Sequence, residues 1–140
     1  MKERGGHMAF EIPIRIYWED TDAGGIVFYA NYLRFFERAR TEWLRAALGL
    51  GQRELAAKAG GMFVVSEANV KYRSPARLDD ELLISAAVQD AAGATVMIEQ
   101  SARLRAGGSV LCEGLFRLAW VDAAKMRPAR IPQHILEKLH

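Results

Sequence analysis

The sequence predicts an α+β fold in which one long helix is covered by a curved antiparallel sheet of about five strands. One strand pattern precedes a single long amphipathic segment, and four strand patterns follow that segment. Short turn-like joints separate the last three patterns, and short joints connect antiparallel neighbours, so the second half is expected to be a meander. A long apolar helix and one sheet that covers it form a two-layer domain.

The first strand and the long helix are indicated by the spacing of their apolar residues. Apolar and outward-facing residues alternate over residues 10–17, as in a half-buried strand, and Pro13 favours an edge position. Asn31 is predicted as the N-cap of the helix, and Gly49 as its C-terminal stop. Between them the apolar stripe recurs every three or four positions, at Tyr32, Phe36, Ala39, Trp43 and Ala47.

The remaining elements are predicted from shorter patterns. Residues 52–59 predict a short helix, and residues 132–140 predict a final one with Pro132 at its first position. The joints are expected at residues 90–94 and at Gly107-Gly108. The four apolar strand series are Ala68, Val70 and Tyr72; Leu82, Ile84, Ala86 and Val88; Val96, Ile98, Ala102 and Leu104; and Cys112, Phe116, Leu118 and Trp120.

Composition limits the class of protein. The 140 residues, 51% hydrophobic and 26% charged, fit one globular domain, which we expect over residues 10–140. Residues 1–9 are expected to form a polar N-terminal extension, part of it a cloning remnant before a native Met8. A net charge of +2 is too small to indicate a nucleic-acid partner. No apolar run approaches the ~20 residues of a membrane span and no signal peptide is evident, so a cytoplasmic location is expected.

Several kinds of site are disfavoured by the sequence. The three histidines are scattered and Cys112 is the only cysteine, so no metal site and no cofactor are expected. Cys112 is predicted to be a buried structural thiol, because it falls in an apolar strand series. No G-x-S-x-G motif indicates a serine hydrolase. The helix arginines are predicted to form a solvated face, namely Arg34, Arg38, Arg40 and Arg45.

The acidic turn at residues 19–22 is the candidate site. Asp22 could act as a base or a nucleophile, while free N–H groups near the start of the helix could receive developing negative charge. From spacing alone, a solvated or helix-capping loop is the favoured interpretation of the turn. A hard-cation site would need more oxygen ligands than the turn supplies.

Residues 15–45 resemble the signature of hotdog-fold acyl-CoA thioesterases. The match is most similar to the 4-hydroxybenzoyl-CoA thioesterase-like group and, within it, to the YbgC-type enzymes encoded with the bacterial Tol-Pal system. Residues Asp22 to Tyr32 match the family pattern, which consists of an aspartate, a glycine, an aliphatic pair and the start of a helix. Further agreement lies in residues 35–42 and 74–80 and in the tail at 121–128.

The resemblance implies a hotdog fold, one long central helix wrapped by the sheet, and hydrolysis of an acyl-CoA to a carboxylic acid and CoA. Asp22 then matches the catalytic carboxylate, acting either as base or as nucleophile, and the backbone N–H of Tyr29 polarises the thioester carbonyl. Phe28 and Phe63 are predicted to line an apolar acyl pocket. Val27 stands where hotdog hydratases carry a histidine, which argues against hydration.

The resemblance also implies partners. A homodimer or homotetramer is expected, with sheets joined edge to edge and sites at the interface, and an acyl carrier protein is a candidate partner. The nucleotide of CoA is not assigned; Arg77, Arg103, Arg105 and the basic tail are its candidate contacts. The alternative function is a non-catalytic hotdog module that binds acyl carrier protein.

Overall fold

The computed structural model describes residues 10–140, so the extension predicted for residues 1–9 lies outside the described part of the chain. A single 3-10 turn at Trp18–Asp20 follows the first strand. The main elements are β1 (Phe10–Arg15), α1 (Asn31–Leu48), α2 (Gln52–Ala59), β2 (Gly61–Tyr72), β3 (Glu81–Ala92), β4 (Thr95–Leu104), β5 (Val110–Asp122) and α3 (Gln133–Leu139).

The five strands form one antiparallel sheet in the order β1-β3-β4-β5-β2, and α1 packs against β1, β3 and β4. The predicted α+β architecture of a long helix covered by a five-stranded sheet is therefore confirmed. β1 lies at one edge, with Pro13 exposed as predicted, and β2 lies at the other. Proline is tolerated there because an edge strand leaves half of its N–H positions without a partner strand.

The helix α1 has the predicted apolar face and the predicted end, but not the predicted cap. Gly49 has a φ of 73°, the left-handed geometry that ends helices and that glycine adopts without strain. The N-cap position is Ala30, and Asn31 is the first helical residue. The Asn31 side chain instead donates to the Asp20 carbonyl at 2.8 Å, which ties the helix to the preceding turn.

Three smaller expectations differ from the structure. β3 runs through Ala92, so the joint predicted at residues 90–94 is only a two-residue turn, because a bulge at Val88/Asp90 lets the strand continue. Pro132 precedes α3 as its N-cap rather than lying at its first position. In the second half of β2, an edge strand, Ala68 and Tyr72 are exposed and Val70 is half-buried, although the Tyr72 ring still lies 5.8 Å from that of Tyr32 in α1.

One polar side chain lies in the core, at a position that the apolar series of β4 passed over. Gln100 is only 1% exposed. Its Nε2 donates to the carbonyls of Phe36 at 3.1 Å and Ser85 at 3.0 Å, and its Oε1 accepts from Arg40 Nη1 at 2.9 Å. The prediction that Arg40 belongs to the solvated face is therefore wrong: Gln100 and the sheet draw its guanidinium inward.

The Arg40 guanidinium also lies over an aromatic ring. Its Cζ is 4.6 Å from the centroid of Phe116, whose ring packs at 5.4 Å against that of Phe36. This stack requires Gly114, because a Cβ at that position would lie 2.8 Å from Phe116 Cζ and closer still to Cε2. The absence of a side chain at position 114 thus makes room for the ring that supports the buried arginine.

We expect Gly114→Ala to destabilise the fold by about 1–3 kcal/mol, the usual cost of forcing extra volume into a packed core. Chemical denaturation of the variant measures this loss. In the double variant Gly114→Ala/Phe116→Leu, the smaller side chain leaves room for the methyl group, so the two costs should sum to less than their separate values. Additive costs would contradict the proposed overlap.

Candidate active site

The candidate site is built on a tight hairpin between β1 and α1. The N–H of Asp22 donates to the Ile26 carbonyl at 2.9 Å, and the N–H of Phe28 donates to the Asp20 carbonyl at 3.0 Å. Gly25 turns the chain with a φ of 77°, a conformation that L residues rarely adopt. The hairpin holds Asp22 on one arm and carries the other arm directly into the start of α1.

The carboxyl group of Asp22 faces solvent on this hairpin. Its Oδ1 accepts a hydrogen bond from the backbone N–H of Gly24 at 2.8 Å, and the residue is exposed. Within residues 10–140 the carboxyl group accepts no other hydrogen bond and forms no ion pair. One oxygen therefore orients the side chain, and the other is available to a water molecule or a reacting carbon.

Asp20, two residues earlier, has a structural role. Its Oδ2 accepts from the N–H of Tyr17 at 2.8 Å, which closes the 3-10 turn. Its carbonyl accepts from both Phe28 N and Asn31 Nδ2, so it joins the turn to the second arm and to α1. The two neighbouring aspartates are thus distinguished by their partners: Asp20 holds the loop together, and Asp22 projects from it.

The start of α1 presents unused hydrogen-bond donors. Asn31, Tyr32 and Leu33 donate to carbonyls three residues earlier, at 2.8 to 3.3 Å. The N–H groups of Tyr29 and Ala30, in contrast, have no acceptor within the described chain. Free N–H groups at a helix N-terminus carry partial positive charge and favour an oxyanion. The predicted donor Tyr29 therefore has a free N–H on the same hairpin as Asp22.

A distant segment, residues 74–80 between β2 and β3, supports this arrangement. The N–H of Val27 donates to the Ala76 carbonyl at 2.9 Å, and the N–H of Ala76 donates to the hydroxyl of Tyr32 at 3.2 Å. Burial of Tyr32 raises the pKa of its phenol, so the hydroxyl stays neutral. Residue-by-residue reasoning missed this support; the family agreement over residues 74–80 was the signal that could have found it.

The two predicted pocket residues lie in different surroundings. Phe28 is 45% exposed and its ring is 4.9 Å from that of Tyr29, which is itself 62% exposed. Phe63 is buried, with its ring 5.0 Å from that of Trp120. It lines a cavity of about 200 Å³ beneath α1 that Arg40 also borders. Phe28 and Phe63 are thus not neighbours within one chain.

The arginines predicted to contact the nucleotide of CoA differ in whether their side chains already form ion pairs. Arg103 is paired with Glu11, and Arg105 lies 3.3 Å from Glu81. The guanidinium of Arg77 forms no ion pair within residues 10–140, although its backbone N–H is bound by the Asp80 carboxylate at 2.8 Å. Arg77 lies within residues 74–80 and forms an isolated β-bridge with Ile26 of the hairpin, so this candidate lies against the candidate site.

Cys112 lies in the core, as predicted for a structural thiol. The residue is inaccessible to solvent, and burial raises the pKa of its thiol to about 12. Across residues 10–140, no group of three His, Cys, Asp or Glu side chains is arranged to hold a metal ion. None of the helices in that part of the chain has the length and apolar character needed to cross a membrane.

A long helix covered by an antiparallel sheet, with an acidic hairpin directly before the helix, defines the hotdog class of fold. A family model described as the thioesterase-like superfamily matches residues 16–139, and the chain belongs to that family. It is 41% identical over 131 residues to the acyl-CoA thioesterase YbgC of Haemophilus influenzae, with 94% of each chain covered. It is 39% identical over 127 residues to the acyl-CoA thioester hydrolase YbgC of Escherichia coli O157:H7, covering 91% of this chain and 92% of the relative.

A solved structure agrees with these relatives. The probable thioesterase from Bartonella henselae superimposes with a TM-score of 0.82 at 32% identity, covering 89% of this chain and all of that one. The family resemblance inferred from residues 15–45 is therefore confirmed over nearly the whole chain.

Proposed function

We propose that this protein hydrolyses acyl-CoA thioesters to a carboxylic acid and CoA. The observation that carries the proposal is the pairing, on one hairpin, of a projecting Asp22 carboxylate with the free N–H of Tyr29. Relatives at 39–41% identity that carry the name acyl-CoA thioesterase or thioester hydrolase support the same activity.

These two groups can hydrolyse a thioester in few steps. The thioester carbonyl oxygen accepts the Tyr29 N–H, which stabilises the negative charge that forms on it during attack. Asp22 either removes a proton from a water molecule that attacks the carbonyl carbon, or attacks that carbon itself and is released by water afterwards. In both routes the C–S bond breaks and CoA leaves as a thiolate that takes up a proton. In the second route water then hydrolyses the mixed anhydride of Asp22 and the acyl group, which releases the acid and restores the carboxylate.

The acyl group is proposed to contact Phe28 and Phe63. Phe28 borders Tyr29, whereas Phe63 lies by the cavity under α1, where Glu37 also contributes. From Tyr29 to Glu37 the chain rises by about 12 Å, at ~1.5 Å per helical residue. An acyl group that reached both rings from within one chain would therefore have to run along α1.

A non-catalytic module that binds acyl carrier protein is the alternative. It has no need of a projecting carboxylate, so Asp22 favours the enzyme. A thiol reporter with short, long and aromatic acyl-CoAs separates the two functions, and we expect thiol release with a preference for one acyl class. The thiol of Cys112 will not interfere, because the folded protein buries it. Absence of thiol release from every acyl-CoA, with retention of acyl carrier protein in a low-salt pull-down, would favour the module.

Replacement of the proposed catalytic carboxylate tests the mechanism. Asp22→Asn keeps the shape of the side chain and its oxygen for Gly24 N–H, but removes the charge and the basicity. We expect kcat to fall by about 10²- to 10⁴-fold, the range for loss of a general base, with little change in KM. Steady-state kinetics on the best acyl-CoA substrate measure both.

Asp20→Asn is the matched control for Asp22→Asn. Its amide oxygen can still accept from Tyr17 N–H, so kcat should change much less. Circular dichroism and thermal melting establish that both variants are folded, since loss of a capping interaction costs about 1 kcal/mol. Near-full kcat in folded Asp22→Asn would refute the assignment.

We also propose that two chains join through the edge strand β2 into a homodimer, with a homotetramer as the larger alternative. β2 is twelve residues long and has exposed Val65 and Tyr72, whereas the described part of the opposite edge strand β1 covers six residues and contains Pro13. A long unpaired edge with apolar residues favours pairing with another strand. An acyl carrier protein remains a proposed donor or partner, consistent with the net charge of +2.

Charge at this edge should weaken association. We expect Val65→Lys to shift the protein toward monomer in sedimentation velocity at micromolar concentration, because a lysine would be placed in the paired edge. Val110→Lys, on an exposed valine at the start of β5, is the control and should leave the dimer intact. A wild-type protein that is monomeric and active would remove the proposal.

A further inference from the structure

We propose that the cavity under α1 binds a carboxylate carried on an extended apolar chain, with Arg40 as its cationic partner. This cavity, called here the Arg40 cavity, has a volume of about 200 Å³. The inference deepens the proposed function and rests on it where the carboxylate belongs to an acyl group.

The charge of Arg40 is the first argument. The side chain is largely removed from water, and burial lowers the pKa of its guanidinium, an effect that the charge of nearby Glu37 opposes. Within residues 10–140 no carboxylate oxygen lies within 4.0 Å of it. Its contacts there are the neutral Gln100 amide and the face of Phe116. Buried charges are normally paired, and a guanidinium with unused donors matches a carboxylate.

The other polar groups of the cavity fit the same ligand. The Gln52 Oε1 atom is buried and accepts no hydrogen bond from the described residues. Rotation of the amide by 180° presents its NH₂ group instead, which can donate to a carboxylate oxygen. Glu37 also lines the cavity and carries the opposing charge, but its residue is exposed and its carboxylate is engaged by the hydroxyl of Thr41.

The remaining walls and the size of the cavity indicate the rest of the ligand. Trp43, Phe63 and Leu118 supply apolar surface, so the chain next to the carboxylate should be hydrocarbon. A volume of about 200 Å³ is below the range of drug-sized pockets, which start at about 300 Å³. It suits the end of a chain rather than a whole cofactor.

The position of the cavity relates it to the candidate active site. Leu33 is exposed on α1, four residues before Glu37, so these two positions share one face of the helix, and Tyr29 lies two residues before the helix begins. An acyl chain that starts at the Tyr29 N–H can follow this face across Leu33 to the Arg40 cavity. An extended chain advances about 1.2 Å per bond, by analogy with extended backbone, so about ten bonds cover the ~12 Å between the two places.

The proposed substrate class is therefore an acyl-CoA of about ten carbons with a carboxylate at its far end. The same chemistry could reach the cavity as a free dicarboxylic acid. Two experimental arms distinguish these sources, one measuring hydrolysis and the other measuring binding without a thioester.

The hydrolysis arm compares decanoyl-CoA with its ω-carboxy counterpart, and butanoyl-CoA with succinyl-CoA as the short pair. For the wild type we expect kcat/KM to favour the ten-carbon ω-carboxy substrate by about tenfold or more, the size of a charge-assisted hydrogen bond in a binding site. The short pair should show no such preference, because its carboxylate cannot reach Arg40.

Variants assign the preference to Arg40. Arg40→Met should abolish it while decanoyl-CoA is still hydrolysed, and Arg38→Met, an exposed arginine on the same helix, should leave it unchanged. Glu37→Gln should raise the preference severalfold, since a like charge is removed. If Arg40→Met does not fold because Gln100 loses its donor, the substrate preference is measured in Arg40→Lys and Glu37→Gln instead.

The binding arm uses titration calorimetry with decanedioate and decanoate, so it does not depend on catalysis. Binding of decanedioate that requires Arg40, without a substrate preference, would support the cavity and identify the free acid as its ligand. The proposal would be overturned if the wild type showed no preference for ω-carboxy substrates and also did not bind decanedioate. Failure to hydrolyse any acyl-CoA would count against the proposed function alone, because the calorimetric result would stand.

Discussion

The hydrogen bond from the Gln100 amide to the Phe36 carbonyl is the contact on which the rest of the structure depends. It crosses the interface between sheet and helix at the centre of the core, and Arg40 completes it from the helix side. Apolar contacts alone would let α1 slide or rotate over the sheet at small cost, whereas hydrogen bonds are directional and expensive to leave unmade in the interior. The register of α1, and so the position of its first N–H groups, follows from this amide.

The hairpin before α1 has its own supports, and they come from outside it. Ala76 accepts from Val27 and donates to the hydroxyl of Tyr32, so one buried residue fixes both an arm of the hairpin and the first turn of the helix. Asp20 fixes the other arm through its carbonyl and its carboxylate. Within the described chain, one carboxyl oxygen of Asp22 and the N–H of Tyr29 therefore remain without a partner because their neighbours satisfy the local backbone. These are the two groups that the proposed function uses as base or nucleophile and as donor.

Apolar periodicity predicted the order of elements, Gly49 predicted the end of α1 and Pro13 predicted the edge position of β1, because each of these signals is local in the sequence. The same reasoning failed for Gln100 and Arg40. A glutamine within an apolar series is read as an interruption of that series, and an arginine on a helix is read as solvated. In the structure the two side chains form a hydrogen bond although they are sixty positions apart in the sequence. The family resemblance pointed to Asp22 and Tyr29, but only the fold separates Phe28 from Phe63 and joins residues 74–80 to the hairpin.

The two edges of the sheet are unlike, and this affects how the protein behaves at high concentration. The described part of β1 covers six residues and Pro13 removes one of its donors, while β2 is twice that length with no proline. Strand-by-strand polymerisation needs two competent edges on each molecule, one to receive and one to offer. A molecule with one such edge can pair with only one other molecule, and the resulting dimer offers no second long edge for further pairing. The asymmetry of the two edges therefore opposes the growth of fibres.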